Sequence, residues 1–256
     1  MADETSPSAG DKVTFSLGKN TKFEEVEISG QHLRFPVAYK RQFRMSATYA
    51  ISSDQVRRCL PSMKLEPIEV RPGVAMLSVE AFEYSEVDGL KPYNEFGTFV
   101  PVKYQRDNGP SSDPGAYCLH LPVTTEKARW GGVAIYGFPK IVADIEFTHG
   151  DDSTNCAVWH DGETIAELTV KKLDTKHVSD KTICYTYKDG EILRTLVEAE
   201  GEAGEGRMKG GASLKLDTHR IAKELKGLGM GGEPLEYQFT PSMYSLLHRP
   251  AERLPA

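Results

Sequence analysis

The sequence lacks several features that would assign a protein to a broad class. No apolar run approaches the roughly 20 residues that a membrane-spanning helix needs. Residues 1–10 are polar and acidic, without the basic and apolar regions of a secretion signal. Acidic residues (37) outnumber lysine and arginine (31), and the formal net charge is -6. These absences argue against membrane-spanning, secreted and nucleic-acid-binding proteins, and predict a cytoplasmic protein without a membrane or nucleic-acid partner.

Cysteine is also scarce, and its spacing excludes the common cysteine motifs. The four cysteines are Cys59, Cys118, Cys156 and Cys184, and no two of them form a Cys-x-x-Cys pair. The seven histidines show no His-x-x-x-His or His-x-Glu pattern, so we expect no metal site. Because apolar or strand-like residues flank each cysteine, free and buried thiols are predicted.

What the sequence does contain is a succession of short strand-like segments. Residues 43–51 alternate between apolar and polar side chains, and residues 74–82 form a nearly continuous apolar run. Turn signals such as Asp161-Gly162 and Asp189-Gly190 separate later segments. This pattern predicts an α+β fold, made mostly of antiparallel sheet that is strongly curved or closed, with a few short helices.

Three segments are predicted to be helical. Residues 53–60 have the composition of a short capped helix stopped by Pro61. Residues 126–130 are long enough for a single helical turn. Residues 219–228 are amphipathic and are followed by a glycine-rich stretch that would end a helix.

The rest of the sequence predicts one loop, one flexible tail and a single domain. Residues 199–206 are acidic and glycine-rich, which favours a mobile loop over a functional acidic patch. Residues 1–12 are predicted to be a flexible tail. Because no linker or repeat interrupts the rest, residues 13–256 are predicted to form a single domain.

Lys140 is the first candidate for chemistry. It lies in a largely apolar segment, residues 130–142, that contains Gly131-Gly132 and ends in Phe138-Pro139-Lys140-Ile141. A buried lysine has a lowered pKa, and its neutral amine attacks ketone or aldehyde carbonyls. The common alternative is a lysine whose stem packs on Phe138 while its ammonium group stays in water.

Glu95 is the second candidate. It lies in the aromatic, turn-prone segment 92–102, which opens a strand. A carboxylate there either faces water or is a pocket acid whose apolar surroundings raise its pKa. An amine and a proton carrier are the two groups that imine chemistry needs.

The order of these segments resembles the acetoacetate decarboxylase family. Residues 44–61 match an arginine followed by a strand and a short helix ending in Leu-Pro, and residues 93–102 match the family's glutamate loop. Residues 131–140 end in Gly-Phe-Pro-Lys, similar to the family's segment with the Schiff-base lysine. Residues 213–219 match a late strand more weakly. The resemblance implies an acetoacetate decarboxylase-like barrel or cone over residues 13–256.

The resemblance also implies roles for individual residues. Lys140 would form the imine, and Glu95 would orient or protonate the substrate. Arg44 would hold the substrate carboxylate, with Arg41 as an alternative. The candidate pocket side chains are Tyr93, Phe138 and Trp130, although an aromatic residue such as Trp130 is often part of a core.

The function implied is a cofactor-free lyase acting on a small β-keto acid, in a homo-oligomer. Ile141 stands where family decarboxylases typically carry a second lysine, which puts decarboxylation in doubt more than imine formation. The alternatives are an imine-dependent aldolase-dehydratase acting on a 2-oxo acid plus an aldehyde, and a non-catalytic binder of small hydrophobic ketones or acids.

Overall fold

The computed structural model describes residues 15–19, 21–107 and 114–256, and most of them lie in β-strands. The strands are Glu24–Ile28 (β1), Gln31–Phe35 (β2), Val37–Ser52 (β3), Leu65–Pro67 (β4), Glu69–Arg71 (β5), Val74–Val87 (β6), Tyr93–Tyr104 (β7), Gly115–His120 (β8), Asp144–His149 (β9), Ser153–His160 (β10), Glu163–Lys171 (β11), Lys176–Lys188 (β12), Glu191–Gly206 (β13), Ala212–Leu216 (β14), Glu236–Leu247 (β15) and Glu252–Pro255 (β16). The helices are Ser53–Cys59 (α1), Glu126–Tyr136 (α2) and Arg220–Gly227 (α3).

Seven strands close into a barrel. Their order is β7-β8-β12-β13-β15-β3-β6, and β6 pairs with β7 to complete the circle. Every pairing in the circle is antiparallel except the short parallel contact between β8 and β12. The predicted fold class, mostly antiparallel closed sheet with a few short helices, is confirmed.

The alternation of side chains along the barrel strands separates an outer core from the lumen. On β3, Met45, Ala47 and Tyr49 are buried in a core shared with a second, four-stranded sheet in the order β14-β11-β10-β9. Gln42 and Arg44 of the same strand line the lumen instead. This period of two allows one strand to build a core and a pocket at the same time.

Two of the three helix predictions are confirmed, and the third is wrong in length. Helix α1 begins after the N-cap Ser52 and α3 after the N-cap His219, close to the predicted positions. The predicted single turn at residues 126–130 is instead the start of α2, which continues to Tyr136. The chain turns at Gly137, a left-handed C-cap with φ of 68°, and not at the earlier glycine pair.

The predicted mobile loop at residues 199–206 is wrong, because these residues form the second half of β13. A Cβ atom on Gly201 would lie 2.5 Å from the carbonyl oxygen of Ser242, and one on Gly204 would lie 2.5 Å from that of Asp174. The glycines here allow close approach of neighbouring backbone, which sequence composition does not distinguish from flexibility.

The remaining predictions concern the cysteines and the ends of the domain. All four thiols are free; Cys118, Cys156 and Cys184 are buried, whereas Cys59 is exposed at the end of α1, contrary to expectation. The predicted tail at residues 1–12 lies outside the described residues. In the part of the chain that the structure describes, no helix is long and apolar enough to cross a membrane.

Candidate active site

Lys140 and Glu95 form an ion pair inside the barrel. The Nζ atom of Lys140 lies 2.5 Å from Oε2 of Glu95, and their side chains are only 5% and 8% exposed. The ammonium group of Lys140 is therefore held by a carboxylate and does not reach bulk water. The structure brings together two residues that are 45 positions apart in the chain.

The end of α2 fixes the backbone that carries Lys140. The hydroxyl of Thr186 donates to the carbonyl of Tyr136, and the ammonium group of Lys188 donates to the carbonyl of Ala134. Both carbonyls belong to the last turn of the helix, where they have no partner within the helix. Strand β12 thus holds the helix end from which the Lys140 segment leaves.

Gly132 makes room for the Lys140 side chain. It lies within α2, and a Cβ atom built on it would be 2.5 Å from Cε of Lys140. Any other residue at this position would displace the lysine stem. A Cβ atom built on the neighbouring Gly131 would meet no described atom within 4 Å apart from its own stretch of helix, so the two glycines are not equivalent.

A tyrosine orients Glu95. The hydroxyl of Tyr84 donates to Oε1 of Glu95 at 3.1 Å, while Oε2 is left for Lys140. Burial, and secondly the charge of Glu95, raise the pKa of Tyr84 well above its usual value of 10, so the phenol remains a donor at every relevant pH. The Tyr84 ring packs at 4.6 Å from Tyr39 and 4.8 Å from Tyr93, which fixes the direction of that hydroxyl.

Arg44 lies in the same lumen with part of its hydrogen-bonding capacity unused. Its Nη1 is 3.3 Å from Oε2 of Glu80, and its Nη2 donates to Gln238 at 2.5 Å. Its Nε is buried and has no hydrogen-bond partner among the residues that the structure describes. Arg41, the alternative from the sequence, is exposed and does not line the cavity.

Glu80 is a site residue that sequence reasoning missed. It is an acidic residue in the nearly continuous apolar run of β6, and its place on the lumen-facing side of that strand was a usable signal. Glu80 and Glu95 both line the cavity into which Arg44 and Lys140 project. The two carboxylates therefore face one space.

That space is a cavity of about 730 Å³. Lys140, Glu95 and Arg44 line it, as do all three predicted pocket aromatics, Tyr93, Phe138 and Trp130. The Nζ atom of Lys140 is 5.7 Å from the centre of the Phe138 ring and 5.8 Å from that of Tyr93. Among residues 15–19, 21–107 and 114–256, no three His, Cys, Asp or Glu side chains are grouped as metal ligands.

Ile141 has a different environment from its neighbour. Its side chain packs against the outer core of the barrel, and it is not part of the cavity wall. The Ile141 side chain therefore does not form part of the cavity surroundings of the Lys140 amine.

Comparison with known proteins gives matches at the level of sequence. A family model described as "Acetoacetate decarboxylase (ADC)" matches residues 28–247. An acetoacetate decarboxylase of Burkholderia mallei is 29% identical over 96 residues, which are 38% of this chain and 34% of the relative. One from Burkholderia cenocepacia is 28% identical over the same shares. The matched segment thus spans about a third of the length of these curated relatives.

Solved structures with a similar fold are more distant in sequence. The acetoacetate decarboxylase of Legionella pneumophila is 15% identical, with a TM-score of 0.62 over 96% of this chain and 98% of that one. The enduracididine biosynthesis enzyme MppR, complexed with the condensation product of pyruvate and imidazole 4-carboxaldehyde, is 16% identical, with a TM-score of 0.61 over 86% and 88%. At these identities the likeness concerns the fold, and together with the match over residues 28–247 it leads to one conclusion: the chain belongs to the acetoacetate decarboxylase family.

Proposed function

We propose that the protein is a cofactor-free lyase in which Lys140 forms a Schiff base with the ketone of a β-keto acid. The observation that carries this proposal is the buried contact of 2.5 Å between Lys140 Nζ and Glu95 Oε2, facing a cavity that Arg44 also lines. This arrangement supports the proposal that an amine, a proton carrier and a cation for the substrate carboxylate act around one space.

The Lys140–Glu95 contact supplies the proton transfer that imine formation requires. An ammonium group cannot attack a carbonyl, so its proton has to leave first. Transfer across the contact gives a neutral amine and a carboxylic acid, and exclusion from water penalises neutral groups less than charged ones. Glu95 then holds the proton close to the position where the carbonyl oxygen of the substrate becomes a leaving hydroxyl.

The reaction then proceeds on the substrate's own atoms. The Lys140 nitrogen bonds to the ketone carbon, water leaves, and a protonated imine remains. The bond between the α-carbon and the carboxylate breaks, its electron pair moves toward the imine nitrogen, and carbon dioxide and an enamine result. Protonation of the enamine carbon and hydrolysis release the ketone and restore the amine.

Arg44 is the residue proposed to hold the carboxylate before it leaves. Its Nη1 and Nη2 atoms contact Glu80 and Gln238, and the guanidinium group lines the cavity. The positive charge of this group would attract a substrate carboxylate within the cavity.

A second candidate function is aldol condensation and dehydration of a 2-oxo acid with an aldehyde, through the same imine. The observation that favours it is the cavity volume of about 730 Å³, which leaves room for a second reactant beside a Lys140 adduct. The first steps of both reactions are identical, so the experiment has to separate adduct formation from the later bond-breaking or bond-forming step.

Borohydride trapping tests the imine. The protein is incubated with acetone or acetoacetate and sodium borohydride, and the adduct is located by peptide mass spectrometry. We expect a single reduced adduct on Lys140, absent in Lys140→Met and retained in Lys103→Met, a matched change of an exposed lysine on β7. Ligand binding without any adduct on Lys140 would indicate a non-catalytic binder.

Two assays on the same preparation distinguish the reactions that the imine can undergo. Release of carbon dioxide from acetoacetate supports the lyase. A conjugated product from pyruvate and an aromatic aldehyde, without carbon dioxide from acetoacetate, supports the aldolase-dehydratase.

A further inference from the structure

We propose that the β-keto acid carries an extended apolar substituent on its ketone, and that this substituent occupies an apolar lobe of the cavity on the side of Lys140 away from Arg44. The inference rests on the proposed function and names its substrate class. The apolar lobe consists of Phe35, Val37, Leu121, Ile135, Val197 and Leu247, all of which line the cavity.

The register of the barrel strands places the apolar lobe at the end of β3 that lies away from Arg44 and Glu95. The side chains of β3 that line the cavity are, in chain order, Val37, Tyr39, Gln42 and Arg44. Gln42 is the cross-strand partner of Tyr84, the residue that donates to Glu95. Phe82 is the cross-strand partner of both Arg44 and Glu95, so the Lys140–Glu95 pair lies near the Arg44 end of this row and Val37 lies at the other end.

The lobe is continuous around its end of the barrel. Val37 is the cross-strand partner of Leu247, and Leu247 is the partner of Val197, so three adjacent strands present apolar side chains in one row. Phe35 and Leu121 are 3% and 2% exposed and belong to the same apolar cluster. This row gives the lobe an apolar wall that a hydrocarbon group would complete.

Charged groups at this end of the cavity are already occupied. Asp88 accepts from Arg34 at 3.2 Å and pairs with Lys40 at 2.6 Å. The ammonium group of Lys127 donates to the carbonyl of Gly89 at 2.8 Å. No second anionic group is therefore needed on the substrate here, and the chemistry of the lobe fits a neutral substituent.

The volume of the cavity also favours a substrate larger than acetoacetate. Pockets for drug-sized ligands measure about 300–1,000 Å³, and the cavity falls within that range. Acetoacetate bound to Lys140 and Arg44 would extend only a methyl group toward the lobe. An apolar surface left facing an empty or water-filled space gains free energy when a hydrocarbon group covers it.

A chain-length series tests the proposal. We would measure kcat and KM for carbon dioxide release from acetoacetate, 3-oxohexanoate, 3-oxooctanoate and benzoylacetate, each corrected for its spontaneous decarboxylation. Burial of each methylene group should raise kcat/KM by about three- to fourfold. We expect kcat/KM for 3-oxooctanoate to exceed that for acetoacetate by at least about 50-fold.

Two matched variants on α2 localise the effect. Ile135→Trp fills part of the lobe and should lower the preference for 3-oxooctanoate over acetoacetate by at least tenfold. Val133→Trp adds the same side chain two residues away, on an exposed position of the same helix that does not line the cavity, and should leave that preference unchanged. If Ile135→Trp does not fold, borohydride trapping of the wild-type protein with acetone, 2-pentanone and 2-heptanone still measures the chain-length preference.

The outcomes separate this inference from the proposed function. An adduct on Lys140 with acetone, combined with equal kcat/KM across the acid series or equal trapping across the ketone series, overturns the apolar substituent and leaves the lyase standing. No adduct with any ketone overturns the proposed function itself. A preference that Val133→Trp abolishes as strongly as Ile135→Trp would overturn the location in the lobe.

Discussion

Lys140 occupies the space that a side chain on Gly132 would need. The lysine stem passes over α2 at this glycine, so the helix surface and the reactive amine are packed against each other. A glycine inside a helix lowers helix stability by about 1 kcal/mol relative to alanine. Its presence here is explained by the position of the lysine and not by the needs of the helix.

The glycine pair in α2 provides a matched test. Gly132→Ala should displace Lys140 from Glu95 and reduce the rate of adduct formation by at least tenfold, because the added Cβ overlaps the lysine stem. Gly131→Ala, with open space around the same position, should leave the rate unchanged and stabilise the fold by up to about 1 kcal/mol. Borohydride trapping rates and urea unfolding of both variants give the comparison. Equal rates in the two variants would show that the lysine stem moves aside without consequence.

Glu95→Gln should affect turnover far more than binding. The amide keeps the size of the side chain and can still accept from Tyr84, but it cannot carry the proton that Lys140 has to release. A positioned acid–base group contributes about 10²- to 10⁴-fold to the rate, so kcat should fall within that range while KM changes little. Glu86→Gln, an exposed carboxylate paired with Lys40, serves as the control. A fall in kcat of less than about threefold would remove Glu95 from the chemistry.

Ile141→Lys should change stability and leave the chemistry in place. The side chain packs against the outer core and not in the cavity, so a lysine there adds no charge beside the Lys140 amine. We expect adduct formation within about threefold of wild type, and a loss of about 1–3 kcal/mol in unfolding free energy from lost apolar burial. An increase of tenfold or more in carbon dioxide release would show that this position controls the reaction after all.

Stability should fall as the pH decreases from about 6.5 toward 5. Burial lowers the pKa of His120 to about 4, despite the opposing effect of Glu224, and burial followed by the neighbouring His160 lowers that of His219. The His120 ring is thus neutral in the folded protein over this pH range, and the His219 ring protonates less readily than in the unfolded chain, which binds protons below about pH 6.5. The stabilisation is fully present above that pH and is lost as the pH falls, by up to about 1.4 kcal/mol per unit for His120.

Urea unfolding at pH 7, 6 and 5 measures this dependence. His120→Asn should flatten it over this range, since the substituted side chain does not titrate. The carboxylates with lowered pKa, Glu69 and Glu198, titrate in a lower range and therefore do not produce the same slope. An unchanged slope in His120→Asn would assign the dependence to other groups.

The sequence predicts the parts of this structure that depend on local periodicity. Alternating strands, the closed antiparallel sheet and the capped helix α1 all follow from patterns within about ten residues. The length of α2 and the strand β13 were predicted incorrectly because both elements contain glycines. Gly132 and Gly201 allow close tertiary contacts, whereas glycine-rich composition alone indicates a turn or a loop.

The candidate site could be predicted only in part, because its residues meet through contacts between distant segments of the chain. Lys140 and Glu95 could be singled out by their apolar neighbours, but their contact depends on how β7 and the segment after α2 meet in three dimensions. Glu80 could have been noticed as an acidic residue within the apolar run of β6, but its contact with Arg44, 36 positions away, could not be predicted from the sequence. The choice between Arg44 and Arg41 as the candidate for the substrate carboxylate required the structure, which shows which of the two side chains faces the lumen.

The barrel is closed by a very short seam. Within the described residues, β8 and β12 pair only through Ala116 with Cys184 and Tyr117 with Tyr185, whereas β12 and β13 pair over their whole length. Few backbone hydrogen bonds hold this junction, so it is the part of the wall that opens at the lowest free-energy cost. Ala116 and Cys184 also border the cavity. The shortest junction of the barrel wall therefore lies directly beside the cavity, so local opening of the wall would first change the space available to a bound molecule.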